Sequence, residues 1–243
     1  MKAYMFAKRC AKEILRDPLN LMFGLGFPVV LLLLLSAIQT NIPVSLFEIA
    51  HLAPGISVFG LSFLTLFSAT LVARDKETSL LQRLYTTPLK STDFILGYLL
   101  PILPIALAQS IVCYVTSVIL GLPVSVNIIF AVLMILPVAV FYISLGLLCG
   151  SVFNVKQVGG ICGGLLTNLS AWLSGVWFDL DLVGGVFRKI ANLLPFVHAV
   201  ELERAVIKGA YNEALPHILP VIGYGIVTTL AAVLLFLRQK NKQ

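Results

Sequence analysis

ARDKETSLLQRLYTTPLKSTD, residues 73–93, is the longest polar interruption between apolar runs on the side of the chain where basic residues collect. The pattern predicts a short amphipathic helix that Asp75 caps, with Glu77 near the positive end of the helix dipole and Pro88 at its end. Its apolar residues form a strip on one face: Leu80, Leu81 and Leu84. A loop that only joined two membrane helices would not need this strip, so the segment predicts a surface for a partner.

The runs on either side of this segment are long and almost free of charge. Of 243 residues, 59% are hydrophobic and 12% are charged, whereas a soluble domain carries about 25% charged residues. Uncharged runs of about 20 residues are what a bilayer core requires. The chain is therefore predicted to be an all-α, polytopic membrane protein with one transmembrane domain covering residues 1–243. Its six predicted spans are residues 21–38, 52–73, 94–120, 128–149, 159–178 and 218–237.

The distribution of basic residues predicts the orientation of these spans. Of the 17 Lys and Arg residues, 13 lie before the first span, in the 74–93 loop, between the fourth and fifth spans, or after the last span. By the positive-inside rule this side is cytosolic, so both termini are inside a plasma membrane. The net charge of +6 is attributed to topology and lipid headgroups. Nucleic acid is excluded as a partner because no basic and aromatic stripe lies outside the apolar runs.

Two further segments are semi-apolar. Residues 3–16 predict an amphipathic helix that lies in the membrane interface with Phe6, Cys10 and Ile14 facing down into the bilayer. The outer segment, residues 179–217, contains helical patterns at 183–194 and 197–208, the second bounded by Pro195 and Gly209. It is predicted either to dip back into the outer leaflet, which its apolar residues favour, or to form a loop with two surface helices.

The sequence offers no support for an enzyme. It has no G-x-x-x-x-G-K-[ST] loop, so the chain itself is predicted to bind no nucleotide and no other cofactor. His198 and Glu201 have the spacing of a metal-ligand pair, but a hydrogen-bonded interfacial histidine is the favoured interpretation, and no metal site is predicted. The four cysteines have no metal-binding spacing and are interpreted as packing residues.

The second and fifth spans carry the most specific patterns. Phe59, Phe63 and Phe67 repeat every four residues and predict either an aromatic wall for a substrate or ordinary packing. Small residues on the fifth span predict close helix contact, with the same chain or with a second copy: Gly160, Gly164, Thr167, Ala171 and Gly175. Three further residues of this span are assigned with the phenylalanines to a substrate pathway: Asn168, Ser170 and Trp172.

Transport across the membrane needs a source of energy. Proton-coupled carriers hold an ionisable residue in the membrane interior, and the six apolar runs show none. Sodium coupling through backbone carbonyls stays open. The economical interpretation is that a separate protein supplies energy mechanically at the cytosolic side. The residues assigned to this contact are Arg74, Asp75, Lys76, Glu77, Leu80, Leu81, Arg83, Leu84, Asn154 and Lys156.

The segment from Asp75 to Gly97 resembles the cytosolic coupling segment of type-2 ATP-binding-cassette (ABC) export permeases. A second similarity lies in LSGVWF at residues 173–178 and LPFVHAVE at residues 194–201. The resemblance implies an elbow helix at residues 3–16, a second permease copy or paralogue, and separate cytosolic ABC ATPase subunits that bind ATP and Mg²⁺. It also implies an export path between the paired second and fifth spans, for a drug, peptide, lipid or glycan.

Two other functions stay open on the residues alone. One is an ion-coupled carrier or channel that acts without a partner. The other is a membrane anchor or sensor that recruits a cytosolic protein through the same loop without transporting anything. The sequence decides neither the substrate nor whether the two membrane subunits are identical.

Overall fold

The structure is a computed structural model that describes residues 2–41, 47–78, 80 and 91–240. Throughout these ranges the regular secondary structure is helical. Two π-helical segments, Met22–Gly26 and Gly159–Leu166, interrupt the helices, and the second is called the π segment below. The helices are α1 (Lys2–Leu15), α2 (Pro18–Leu21), α3 (Phe27–Gln39), α4 (Ile49–Glu77), α5 (Ser91–Ile119), α6 (Asn127–Val152), α7 (Val155–Val158), α8 (Thr167–Leu173), α9 (Leu180–Val183), α10 (Gly185–Leu193), α11 (Pro195–Lys208) and α12 (Tyr211–Lys240).

Five helical stretches within the described residues are long and apolar enough to cross a membrane: Met22–Gln39, Ile49–Glu77, Thr92–Ile119, Asn127–Val152 and Tyr211–Gln239. They coincide with five of the six predicted spans. The remaining predicted span, residues 159–178, is helical only as far as Leu173, in the π segment and α8. Gly175 has a φ of +70°, in the left-handed region that ends helices. The count of six spans is therefore not confirmed.

Helix α4 is the centre of the bundle, and it packs mainly against α6, α5 and α11. In its most apolar stretch 83% of the residues are buried, compared with 22% for the first and last spans. Gly146 of α6 lets the two backbones approach closely, because a Cβ at this position would overlap Thr65 and Ser68 of α4. Thr65 Oγ1 donates to the carbonyl of Tyr142 at 2.8 Å, which fixes the contact between α4 and α6.

Helix α1 packs against α5. The ring of Phe6 lies 4.9 Å from that of Tyr98, and Gly97 makes room for it because a Cβ there would overlap the Phe6 ring. The apolar face of α1, which includes Cys10 and Ile14, is buried against protein. The prediction that this face points into the bilayer is therefore wrong: α5 offers an apolar surface that the sequence pattern of α1 alone could not reveal.

The outer segment is only partly as predicted. The predicted helix at 183–194 is observed as α10, Gly185–Leu193, and Gly184, whose φ is +59°, separates it from α9. The second helix begins at Pro195 and ends before Gly209, whose φ is +74°, as predicted. Most of α11 is buried against α4, α6 and α12. It is thus an internal element of the bundle and not a surface helix.

Candidate functional site

The polar end of α4 extends further than the sequence predicts. The helix continues to Glu77, where Thr78 ends it by donating through its N–H and hydroxyl groups to the carbonyl of Arg74 at 2.9 and 3.0 Å. Asp75 therefore lies in the last turn of α4, and the prediction that it caps a separate helix is wrong. The charged residues of this turn have partners in other helices, and these contacts explain why the helix does not end at Ala73.

Asp75 connects three helices at this end of the bundle. Its carboxylate accepts hydrogen bonds from both Nη atoms of Arg9, in α1, at 2.5 and 2.6 Å. Tyr98, in α5, donates its hydroxyl to the same carboxylate at 2.7 Å. The Asp75 side chain is only 2% exposed. Burial by itself lowers the pKa of Arg9, but the hydrogen bonds and charge of Asp75 raise it above its ordinary value.

Lys76 binds the C-terminal end of α6. Its Nζ lies between 2.9 and 3.5 Å from four consecutive carbonyl oxygens, those of residues 150–153. These are the oxygens that the last turn of a helix leaves without an intrahelical partner, and they carry the negative end of the helix dipole. The Lys76 ammonium group thus binds the carbonyl oxygens at the end of α6 and attaches this helix to α4.

Glu77 and Arg74 complete the set of contacts. Glu77 Oε1 accepts from the backbone N–H of Val155, the first residue of α7, at 3.1 Å. Arg74 forms an ion pair of 3.2 Å with Asp17, in the turn between α1 and α2. Together Arg9, Tyr98 and the last turn of α4 form what is called the α4 junction below. It fastens the end of α4, which leads into the predicted coupling segment, to α1, α5, α6 and α7.

The residues assigned to a partner contact differ in burial and in whether the structure describes them, and Lys76 is half-buried and bound to the end of α6. Arg74 and Glu77 are exposed, as are Asn154 and Lys156 beside α7, so they are available to a partner. Asp75 is buried and acts within the junction. Leu80 is half-buried, and the others lie outside the described residues: Leu81, Arg83 and Leu84.

The three phenylalanines of α4 contact the chain itself. Phe59 packs edge-on against Trp177 at 5.6 Å, and Phe63 packs against Phe27 at 5.2 Å. Phe67 is 4% exposed and lies where a Cβ on Gly24 would overlap its ring. These contacts favour ordinary packing over a substrate wall.

The residues singled out on the predicted fifth span divide between two surfaces. Thr167, Ser170, Ala171 and Gly175 are buried against the rest of the chain, and Ser170 contacts the Tyr142 hydroxyl at 2.6 Å. On another side lies what is called the open face below. It consists of Gly160, Gly164, Asn168 and Trp172. All of these except Gly164 are exposed, and no described atom lies within 4 Å of a Cβ built on either glycine. A π-helical turn holds more residues than the 3.6 of an α-helix, so spacing counted at 3.6 assigns Ala171 and Gly175 to the wrong surface.

Two buried charged residues in α11 were not identified from the sequence. Arg204 donates to Glu201 at 2.7 Å and to the carbonyl of Gly175 at 3.0 Å, so it fixes the turn after α8 to α11. Glu203, which precedes Arg204 in the sequence, is fully buried, and the hydroxyl of Tyr114 in α5 donates to its Oε2 at 2.8 Å. The sequence search for ionisable residues covered only the six apolar runs, and α11 lies between the last two. The alternating apolar and charged residues at 199–206 were the available signal.

The histidines and cysteines make local contacts. The Nδ1 atoms of His198 and His217 lie 2.9 Å apart, and His198 Nε2 donates to the carbonyl of Asn192, so His198 pairs with another histidine and not with Glu201. Within the described part of the chain no three metal-ligating side chains form a cluster. All four cysteines are free and buried, which agrees with their interpretation as packing residues.

The chain was also compared with known proteins. The family model described as "ABC-2 type transporter" matches residues 2–207, from the start of α1 almost to the end of α11. This range includes the α4 junction, the open face and Glu203. No curated protein matches the chain.

Proposed function

Because the chain belongs to the ABC-2 type transporter family, we propose that it exports an amphipathic substrate as the permease subunit of an ATP-driven complex. In this proposal the ATPase is a separate cytosolic protein that binds ATP and Mg²⁺. The α4 junction carries the proposal, because it connects the predicted coupling loop to four helices through buried or helix-end contacts. Such an arrangement suits a part that transmits force, whereas a simple connecting loop does not need it.

The junction suggests how the force travels. Closure of the ATPase would push on the predicted coupling segment, because Leu80, Leu81 and Leu84 would lie in a groove of the partner. Since Asp75 is bound to Arg9 and Tyr98, α1 and α5 would move with the end of α4, and Lys76 would carry α6 with them. The central position of α4 then turns a local push into a rearrangement of the bundle from inward-facing to outward-facing.

The orientation follows from charge and exposure. We place both termini and the α4 junction in the cytosol of a plasma membrane, where the positive-inside rule puts the basic segments. Helix α1 would lie at the interface with its exposed residues Tyr4, Met5 and Leu15 among the lipids. The sixth span would be α7, the π segment and α8, which contain 4, 8 and 7 residues. At 1.5 Å per residue they reach roughly 28 Å, close to the hydrocarbon thickness.

The open face supports the pairing of two permease subunits. Nothing lies within 4 Å of a Cβ built on Gly160 or Gly164, and Trp172 is 51% exposed. Small residues with one amide and one large aromatic side chain suit contact between membrane helices. The partner would be a second copy of this chain or a paralogue, with the export path along this contact. Asn168 and Trp172 are then nearer to that path than Ser170 or the phenylalanines of α4.

The experiment is reconstitution in liposomes, with and without the ATPase that co-purifies with the chain, using a fluorescent amphipathic dye as substrate. We expect dye movement only with both proteins and ATP. Dye movement by the chain alone, without ATP, would instead support an ion-coupled carrier. Binding of the ATPase without dye-dependent ATP hydrolysis would support a membrane anchor.

A further inference from the structure

Glu203 has an environment that is unusual for a carboxyl group. Its side chain is fully buried among α11, α5 and their neighbours, and its one hydrogen bond is the 2.8 Å contact between Oε2 and the Tyr114 hydroxyl. Among the residues that the structure describes, Oε1 has no hydrogen-bond partner. A carboxylate offers about four acceptor sites and is strongly destabilised when it is buried with most of them empty.

None of the cations that the structure describes compensates for this burial. Arg204 is next in sequence, but its guanidinium is directed to Glu201 and to the carbonyls of Gly175 and His51. The titratable groups on the helices packed against α11 also have other partners or lie at the surface: His51 in α4, Tyr142 in α6, His217 in α12, and Arg188 and Lys189 in α10. Tyr114 is thus the one titratable side chain in the described part of the chain that is bonded to Glu203.

A carboxylate without a counter-ion is strongly destabilised in an apolar interior, and it becomes neutral by binding a proton. Burial accordingly raises the pKa of Glu203 from its ordinary 4.5 to about 8, although the Tyr114 hydrogen bond opposes this. Protonation needs no other reactant, because the carboxylate binds one proton from water and becomes a neutral carboxylic acid.

We propose that Glu203 is a proton-binding site inside the bundle, which holds a proton while α11 is packed against α4, α6 and α12 with Tyr114 of α5 bound to it, and releases the proton when α11 leaves this packing and water enters. Displacement of α11 from the bundle is thereby linked to pH. Alkaline conditions favour it and acid conditions oppose it. The proposal concerns the chain by itself and does not depend on ATP-driven export.

The sign of the effect follows from proton linkage. A carboxyl that binds its proton more tightly in the folded state stabilises that state fully below its unfolded pKa, and this contribution falls as pH rises towards the folded pKa of about 8. One proton corresponds to a factor of about ten in the unfolding equilibrium for each pH unit in this window. Glu203→Gln keeps the shape and the neutral state but cannot titrate, so it removes the dependence.

The test measures unfolding of the purified full-length chain in mixed detergent micelles at several pH values from about 5 to about 8. We expect the stability of the wild-type chain to fall relative to Glu203→Gln by up to about tenfold in the unfolding equilibrium per pH unit. Glu213→Gln, which removes an exposed carboxylate at the start of α12, should follow the wild type. Parallel profiles for the wild type and Glu203→Gln would overturn the proposal.

Infrared spectroscopy gives a second measurement if Glu203→Gln does not fold. A protonated carboxylic acid has a carbonyl absorption distinct from that of a carboxylate. The wild-type chain at neutral pH should show this absorption, and Tyr114→Phe should shift it because the hydroxyl contacts the same carboxyl. If no such band is sensitive to Tyr114→Phe, Glu203 is ionised and the proposal is wrong.

Discussion

Asp75 and Glu203 are both buried carboxyl groups, and each accepts a hydrogen bond from a tyrosine of α5, Tyr98 at 2.7 Å and Tyr114 at 2.8 Å. The difference between the two sites is one arginine. Arg9 lies against Asp75 and supplies its counter-ion, whereas none of the described cations contacts Glu203, which is assigned a proton. The comparison teaches that burial does not decide the charge of a carboxyl by itself. The presence or absence of a counter-ion decides whether a buried carboxyl forms a structural ion pair or a proton-binding site.

The largest effect is expected from removing the arginine. Arg9→Ala leaves Asp75 buried without its cation, which makes its environment similar to that of Glu203. Breaking a buried pair costs about 3–5 kcal/mol, and the exposed third of Arg9 reduces this to about 2–3 kcal/mol. Unfolding in detergent micelles should show this loss, and Asp75→Asn in the same chain should restore part of it.

The control for Arg9→Ala is Arg16→Ala, which removes an exposed cation just beyond the end of α1. We expect a change of no more than about 0.5 kcal/mol. An equal loss of unfolding free energy in the two variants would show that Arg9 contributes only to overall charge. It would contradict a structural role for the Arg9–Asp75 ion pair.

An intermediate effect is expected from forcing α1 away from α5. In Gly97→Ala the new methyl group overlaps the ring of Phe6, and Phe6 lies in the same helix as Arg9. Overpacking of this kind costs about 1–3 kcal/mol and should weaken the ion pair with Asp75. Gly223→Ala, in α12, is the matched control, because no described atom lies within 4 Å of its new methyl group. A loss for Gly223→Ala as large as that for Gly97→Ala would contradict the helix contact.

The two tyrosines should differ in effect, and Tyr114→Phe should show the smallest loss of all. Tyr98→Phe removes a donor from a charged acceptor and should cost about 1.5–3 kcal/mol. Tyr114→Phe removes a donor from a neutral carboxyl and should cost about 0.5–1.5 kcal/mol. Unfolding of both variants in the same micelles at neutral pH measures the difference. If Tyr114→Phe is the more damaging change, then Glu203 is the charged group and the comparison fails.

The apolar runs predicted the bundle well because membrane helices need length and hydrophobicity, and both are local properties of the sequence. Five of the six runs form helices that could span a membrane. The same reasoning could not find the partner of Asp75, because Arg9 is 66 residues away in sequence. It also misplaced Ala171 and Gly175, since nothing in a run of glycines distinguishes an α-helical turn from a π-helical one.

Glu203 illustrates a further limit of sequence reasoning. Charged residues in α11 are typical of a surface helix, and the sequence alone gives no reason to place that helix inside the bundle. Pro195 and Gly209 correctly predicted where α11 begins and ends. Its burial depends on contacts with α4, α6 and α12 that are distant in sequence, so its interior charges became visible only in three dimensions.

The central claim is that a separate ATPase moves this permease through the loop attached to the α4 junction. The most direct test measures ATP hydrolysis by the co-purifying ATPase, reconstituted with the wild-type chain or with Leu81→Asp. Leu182→Asp places the same charge at an exposed position outside the predicted coupling segment, in α9, and serves as the control. The account predicts that Leu81→Asp loses most of the stimulation while the protein stays in the membrane, and that Leu182→Asp keeps it. Full stimulation by Leu81→Asp would contradict the account.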